Sequence, residues 1–173
     1  MFFDPGVEVS ADVYHFDNFY AVSKGECAGK ELDDSILDDF ECNRNATYVN
    51  GWDSLTVIPN PGADAVNGST KVGKFVDQLG EPWNGLLWEY QNGVNLETKN
   101  QFNIKIWSSK ATRVLAKLEG GASAASEVWI DIVETNKWVQ YIVDFSSQAL
   151  ANHKKMILFF NAGNDPAPGD VYY

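Results

Sequence analysis

The sequence predicts an all-β protein, an antiparallel β-sandwich of jelly-roll type. Three observations support this prediction. Short runs of β-branched and aromatic residues alternate with polar ones, glycine, proline and asparagine interrupt these runs at regular intervals, and helical periodicity is nearly absent. Nine or ten short strands separated by such turns are typical of a two-layered antiparallel fold.

Nine runs have this strand character, each ending at a turn signal. They are residues 36–42, 55–58, 70–76, 85–90, 102–108, 113–119, 127–134, 138–145 and 155–160. Residues 43–53 are predicted to be a loop that contains Trp52, and residues 146–153 one turn of helix. The run 36–42 is expected to open the sandwich.

Composition restricts the number of domains and the partners. With 173 residues, 45% of them hydrophobic, the chain is long enough for one buried core plus an appendage. A formal net charge of −11 repels nucleic acid and anionic membrane surfaces, so neither is an expected partner. No apolar run approaches the ~20 residues of a membrane span, and the first residues lack a signal-peptide pattern. We therefore expect no membrane insertion and a mature or excised fragment of a larger protein.

The beginning of the chain repeats its end. Residues 2–6 (FFDPG) and 12–15 (DVYH) resemble residues 159–163 (FFNAG) and 170–173 (DVYY). Such a repeat indicates tandem modules cut within the repeat, or a circular permutant whose leading strand completes its own sheet.

This repeat sets the expected domain organisation: a leading segment at 1–22, a linker at 23–35 and the sandwich at 36–173. The permutant is the favoured reading and predicts a monomer. A sheet edge without its strand would pair with another chain, so a strand-exchanged dimer is the main alternative.

Two cysteines, Cys27 and Cys42, are spaced for neither a redox C-x-x-C pair nor a zinc site. In a secreted protein they would form one disulfide, worth about 2–3 kcal/mol. The alternative is a pair of separately buried free thiols.

Alternation places two tryptophans on the polar faces of their strands, opposite the aliphatic faces: Trp107 with Asn103 and Lys105, and Trp129 with Asp131. An indole among polar neighbours is not needed by the core, and exposed aromatic rings are favourable platforms for the C–H faces of sugars. Ordinary packing beneath a loop is the alternative for both.

The remaining tryptophans differ in their expected roles. Trp83 lies in a turn and is either a loop-borne sugar contact or a lid over the core edge. Trp88 shares a face with Leu86 and is expected in the core, as is Trp138. Trp52 has no further support as a ligand contact.

Several short motifs occur in an order and spacing that resemble one family. They are the turn Asn60-Pro61, N-x-S-x-x-V-x-K from Asn67, P-W-x-G from Pro82, Lys105-Ile106-Trp107-Ser108, Lys117-Leu118-Glu119, Asn136-Lys137-Trp138 and Val143-Asp144-Phe145. Over about residues 39–173 the chain is similar to the β-jelly-roll carbohydrate-binding modules of secreted, multi-modular bacterial polysaccharide-degrading proteins.

The resemblance implies a secreted or cell-surface, non-catalytic module that binds a polysaccharide beside neighbouring modules of its parent chain. The ligand would be a neutral β-glucan such as laminarin, bound on a concave sheet or a loop. Three indoles would stack on it while four polar side chains orient its hydroxyls: Trp83, Trp107 and Trp129, with Asn103, Lys105, Glu119 and Asp131.

The resemblance also implies a structural calcium between the first and last strands. The matching carboxylates are Glu41 and Asp17, with Asp39 as a helper. Here the chain departs from the family, because Asp17 precedes the sandwich. The site therefore depends on the leading strand being in place.

Two other classes of function remain open. A small jelly-roll glycoside hydrolase or lyase needs paired carboxyl groups, and the strands carry several, but no short acidic motif pairs them. A structural or adhesive spacer needs no ligand. The two outward tryptophans favour binding over a spacer, which has no use for exposed indoles.

Overall fold

A computed structural model of the chain describes residues 27, 29–45, 47–50, 55–90 and 92–173. The chain divides into two compact units, Met1–Glu31 and Leu32–Tyr173. The leading segment 1–22 and linker residues 23–26 and 28 lie outside the described residues, so the permutant and the exchanged dimer stay predictions.

The described residues form ten strands and confirm the all-β prediction. The strands are β1 Thr47–Asn50, β2 Leu55–Pro59, β3 Lys71–Val76, β4 Gly85–Glu89, β5 Gln101–Trp107, β6 Thr112–Glu119, β7 Ser126–Ile132, β8 Trp138–Asp144, β9 Lys155–Phe160 and β10 Val171–Tyr172. A 3-10 turn at Ser146–Gln148 matches the predicted helical turn.

Every strand pairing in this part of the chain is antiparallel. One layer is a five-stranded sheet with the order β1-β4-β9-β6-β7. The other combines the sheet β10-β3-β2 with the pair β5-β8. A bridge between Ser108 and Tyr172 joins them, reinforced by reciprocal hydrogen bonds between Trp107 and Tyr173, N···O 2.9 and 3.1 Å. The second layer therefore runs β2-β3-β10-β5-β8.

The core lies between the two layers. Phe75 of β3 and Phe160 of β9 meet across it with ring centroids 5.0 Å apart, and Tyr172 of β10 stacks on Phe160 at 4.9 Å. Alternate residues of β4, β6, β7 and β9 complete this cluster from the five-stranded side. The arrangement fits the predicted β-sandwich, whereas the jelly-roll connection stays a prediction.

The predicted opening strand at residues 36–42 is wrong. These residues form a tight loop in which Asp39 accepts the backbone N–H groups of the three residues from Glu41 to Asn43, at 2.8–2.9 Å. Such side-chain bonds compete with sheet pairing. Phe40 adopts φ +57° and lays its ring against Gly73, where a side chain would clash with it. The strand β1 lies instead at Thr47–Asn50, inside the predicted loop.

Cys27 and Cys42 are both disulfide-bonded, which confirms the disulfide reading over free thiols. Among the described residues, no helix has the length and apolar character required to cross a membrane.

Candidate functional site

A row of large apolar side chains crosses the outer face of the five-stranded sheet. The register places Phe159 of β9 opposite Leu115 of β6, and Leu115 opposite Trp129 of β7. Trp83, in the turn before β4, contacts Phe159 at the other end. We call Trp83, Phe159, Leu115 and Trp129 the apolar row. It runs across the strands, and from β4 to β7 it covers three strand spacings, about 14 Å.

Two glycines position Trp83. Gly85 lies opposite Phe159, and the Phe159 ring occupies the space of a Cβ at Gly85, within 2.8–2.9 Å of it. Trp83 then meets the Phe159 ring edge-on, with centroids 5.8 Å apart. Trp83 also contacts Gly163, which has φ +79° and donates its N–H to the Pro82 carbonyl at 2.8 Å. The indole is thus held by Phe159 and Gly163 and is still 57% exposed.

Trp129 ends the row on β7 and is 41% exposed. The Arg113 guanidinium carbon lies 4.4 Å from its ring centroid, a cation–π contact. Arg113 Nε also donates to Asp131 Oδ1 at 2.7 Å, which fixes the guanidinium over the ring. One flank of the row therefore presents an oriented arginine and carboxylate beside an exposed indole.

The other flank of the row carries a lysine between two carboxylates. Lys117 Nζ lies 2.9 Å from Glu119 Oε2 and 4.0 Å from Glu127 Oε1. All three side chains lie on the outer face, because the residues between them in β6 and β7 point into the core. These ions give the apolar row hydrogen-bonding groups on both sides.

The structure brings Trp83, Trp129, Glu119 and Asp131 to one surface, but it places Asn103, Lys105 and Trp107 elsewhere. These three lie on the outer face of β5, in the opposite layer. A single groove containing all seven residues is therefore wrong, because the core separates the two faces.

Trp107 is half-buried and packs edge-on against Tyr173, with ring centroids 5.3 Å apart. Its cross-strand partner Trp138 is buried, and Trp138 Nε1 donates to the Gly62 carbonyl at 3.0 Å. The packing role predicted for Trp138 is thus confirmed. Trp88, in the core beneath Tyr48, is likewise confirmed. Trp52 lies outside the described residues.

The predicted calcium ligands are only partly described. Glu41 Oε1 accepts hydrogen bonds from the Thr70 N–H and hydroxyl, both at 2.7 Å, and from Lys71 N–H at 3.3 Å. The hydrogen bonds from Thr70 hold the pKa of Glu41 below its usual value. Asp17 lies outside the described residues, and the described part of the chain brings no three acidic, cysteine or histidine ligands together. The donors around Glu41 and Asp39 are N–H and O–H groups, which fit a hydrogen-bonded loop better than a cation shell.

Sequence reasoning missed Phe159, Leu115 and Arg113 as members of this surface. Adjacent aromatics on a strand point to opposite faces, so Phe159-Phe160 already indicated one outward ring. No local signal indicated that Phe159 and Trp83, 76 positions apart in the chain, would touch.

The chain matches no protein-family model and no curated protein sequence. The predicted resemblance to carbohydrate-binding modules therefore rests on short motifs of its own sequence. Two of these motifs, P-W-x-G from Pro82 and Lys117-Leu118-Glu119, contribute residues to the surface described above.

Proposed function

We propose that this chain is a non-catalytic carbohydrate-binding module that binds a neutral polysaccharide along the apolar row, with a β-glucan such as laminarin as the first candidate. The observation that carries the proposal is the pair of exposed indoles, Trp83 and Trp129, at the two ends of the apolar row on the outer face of the five-stranded sheet.

The apolar row suits sugar rings. A pyranose has C–H faces that pack on aromatic and aliphatic surfaces, and its hydroxyls point to the sides. The row supplies this packing surface mainly at its exposed ends, Trp83 and Trp129, since Leu115 between them is only 3% exposed. The ends are separated by about 14 Å, a length that a short oligosaccharide spans. Two supporting glycines and the Phe159 ring hold Trp83 in place before binding, so little conformational entropy is lost when a glycan docks.

The flanks suit hydroxyl groups. Asp131 and Glu119 accept hydrogen bonds, while Arg113 and Lys117 donate them, and ion pairs hold each of these groups in place. Carboxylates that bind hydroxyls form charge-assisted bonds, which are stronger than neutral ones.

The module would act by tethering. A domain that holds a polysaccharide raises the effective concentration of that polymer for neighbouring modules without any chemistry of its own. The disulfide-bonded cysteines agree with a secreted or cell-surface parent protein, because disulfides persist in oxidising compartments.

Affinity electrophoresis through gels containing laminarin tests the proposal. We expect the wild-type chain to be retarded, and Trp129→Ala and Trp83→Ala each to weaken binding by about tenfold, corresponding to about 1–1.5 kcal/mol for a lost ring contact. Trp107→Phe, a change on the opposite face that keeps an aromatic ring against Tyr173, is expected to leave retardation unchanged. Circular dichroism would confirm that each variant folds.

Other outcomes would point elsewhere. Binding that survives both alanine variants but falls with Trp107→Phe would move the site to β5, with Asn103 and Lys105. No retardation by laminarin, xylan or mannan would favour a structural spacer. Release of reducing sugar would identify an enzyme.

A further inference from the structure

A buried carboxylate, that of Asp77, directly follows β3. Asp77 is 5% exposed, and neither of its side-chain oxygens accepts a hydrogen bond of normal geometry from the described residues. An ionised carboxylate removed from water without donors is strongly destabilised. The group therefore needs a counter-charge or a proton.

A second carboxylate lies directly across from it. Val76 pairs with Val171, and the Asp77 N–H donates to the Asp170 carbonyl at 3.0 Å, so Asp77 and Asp170 are the next cross-strand pair. Asp170 is 7% exposed. Like charges at opposite positions of neighbouring strands repel.

The nearby cation is already engaged by Asp170. The Lys110 ammonium forms an ion pair with Asp170 Oδ2, and the Ala167 N–H donates to the same oxygen at 2.8 Å. Burial alone would raise the pKa of Asp170, but these two donors hold it below its usual value.

Within the described part of the chain, a further titratable group that faces the pair is the hydroxyl of Tyr172, which is 1% exposed and has no partner of normal geometry there. Burial raises the pKa of the Tyr172 hydroxyl, so the hydroxyl stays neutral and cannot offset the charge of the two carboxylates. With both carboxylates ionised and Lys110 charged, the cluster would hold one uncompensated negative charge.

We propose that Asp77 and Asp170 bind one proton between them, carried on Asp77, and that loss of this proton loosens β10 from β3. A proton needs no space, which suits a group whose oxygens are closed off from solvent. Burial, followed by the charge of Asp170, raises the pKa of Asp77 to about 6, while Lys110 and the Gln78 N–H act in the opposite direction.

The contact between β10 and β3 is short, with only two paired residues on each strand. β10 contains two residues, yet it joins β3 to β5 and so holds the second layer together. Because the proton is bound more tightly in the closed state, the stabilisation is present at acidic pH and is lost as pH rises through about 6. Short strands with few bonds open locally before the rest of a domain.

Amide hydrogen exchange by NMR tests the proposal. The Asp77 N–H, which donates to the Asp170 carbonyl, reports on the β3–β10 contact, and the Tyr173 N–H reports on the junction of β10 with β5. After correction for intrinsic exchange, we expect wild-type protection at these amides to fall about tenfold between pH 5 and pH 7.5. Asp77→Asn, which imitates the protonated acid, is expected to keep its protection across that range. The side-chain carbon of Asp77 should titrate near pH 6.

Asp165→Asn is the matched control, the same change at an exposed aspartate in the loop before β10. It should behave as wild type. Lys110→Gln should move the Asp77 titration to higher pH, since it removes the compensating charge. An Asp77 carboxyl already ionised at pH 4.5, or parallel loss of protection in wild type and Asp77→Asn, would overturn the proposal. So would full restoration of wild-type protection at pH 7.5 by calcium alone, which would mean that the pair binds a metal cation.

Discussion

At the scale of single residues, His153 is the clearest source of pH dependence besides Asp77. It is fully buried, and neither ring nitrogen has a partner among the described residues. Burial lowers its pKa, so the folded state holds it neutral. Below about pH 6.5 the unfolded chain binds a proton that the folded chain does not, and stability therefore falls with falling pH, by at most about 1.4 kcal/mol per pH unit.

We expect His153→Leu to remove this loss and to make the free energy of unfolding less dependent on pH between 5 and 8, as measured by urea denaturation. Protonation of Asp77 acts in the opposite direction over an overlapping range, so both proteins should carry Asp77→Asn. His15→Gln, at the other histidine of the chain, is the control. Equal slopes with and without His153→Leu would show that burial of this ring does not govern the acid response.

The sequence predicted the burial of some tryptophans well and that of others poorly. Alternation within a strand was sufficient to place Trp88 in the core and Trp129 outside. Trp83 lies in a turn, where alternation has no meaning. Its position depends on Phe159 and Gly163, which approach it only in the folded chain.

At the scale of elements, the strands from β2 to β9 lie within one or two residues of their predicted positions, because turn residues and alternating apolar positions agree there. The opening segment failed because Asp39 satisfies three backbone N–H groups that a strand would offer to its neighbour. The hydrogen bonds of one side chain, Asp39, thus outweighed the strand-like composition of residues 36–42.

The same loop yields a stability prediction. Asp39 Oδ1 accepts three N–H groups, and Oδ2 accepts the Asn43 side-chain amide at 2.6 Å. Asp39→Asn removes the negative charge that strengthens these bonds and places an N–H donor where Oδ2 accepted the Asn43 amide, so we expect a loss of about 1–3 kcal/mol in the free energy of unfolding. Thermal or urea denaturation measures it.

Calcium dependence separates the two roles considered for Asp39. If it acts as a hydrogen-bonded loop cap, the loss should be equal with calcium and with a chelator. Asp64→Asn is the control. The Asp64 carboxylate accepts the N–H groups of Val66 and Asn67 in a more exposed loop, so its substitution should lower the free energy of unfolding by less. A loss seen only in the presence of calcium would instead support the metal site predicted from Glu41, Asp39 and Asp17.

At the scale of the whole molecule, the sandwich determines which outward side chains can cooperate. The sequence predicted correctly that Trp107 and Trp129 leave the core faces of their strands, but the period of a strand does not say to which layer it belongs. β5 and β7 lie in different layers. The P-W-x-G motif proved more informative, since its Trp83 and Gly85 both adjoin Phe159 and form one end of the apolar row.

The overall charge predicts which glycans bind this surface. With 24 acidic and 13 basic residues, the net charge of −11 repels sulfated and uronate chains, and the cations beside the row are paired with Asp131 and Glu119. We therefore expect retardation by laminarin to change little between low salt and 1 M salt, where charges are screened beyond about 3 Å. Alginate and carrageenan should cause no retardation at low salt.

Retardation by alginate or carrageenan that disappears as salt is raised would mean that Arg113 and Lys117, rather than the indoles, hold the ligand. In that case Arg113→Gln should weaken binding more than Trp129→Ala.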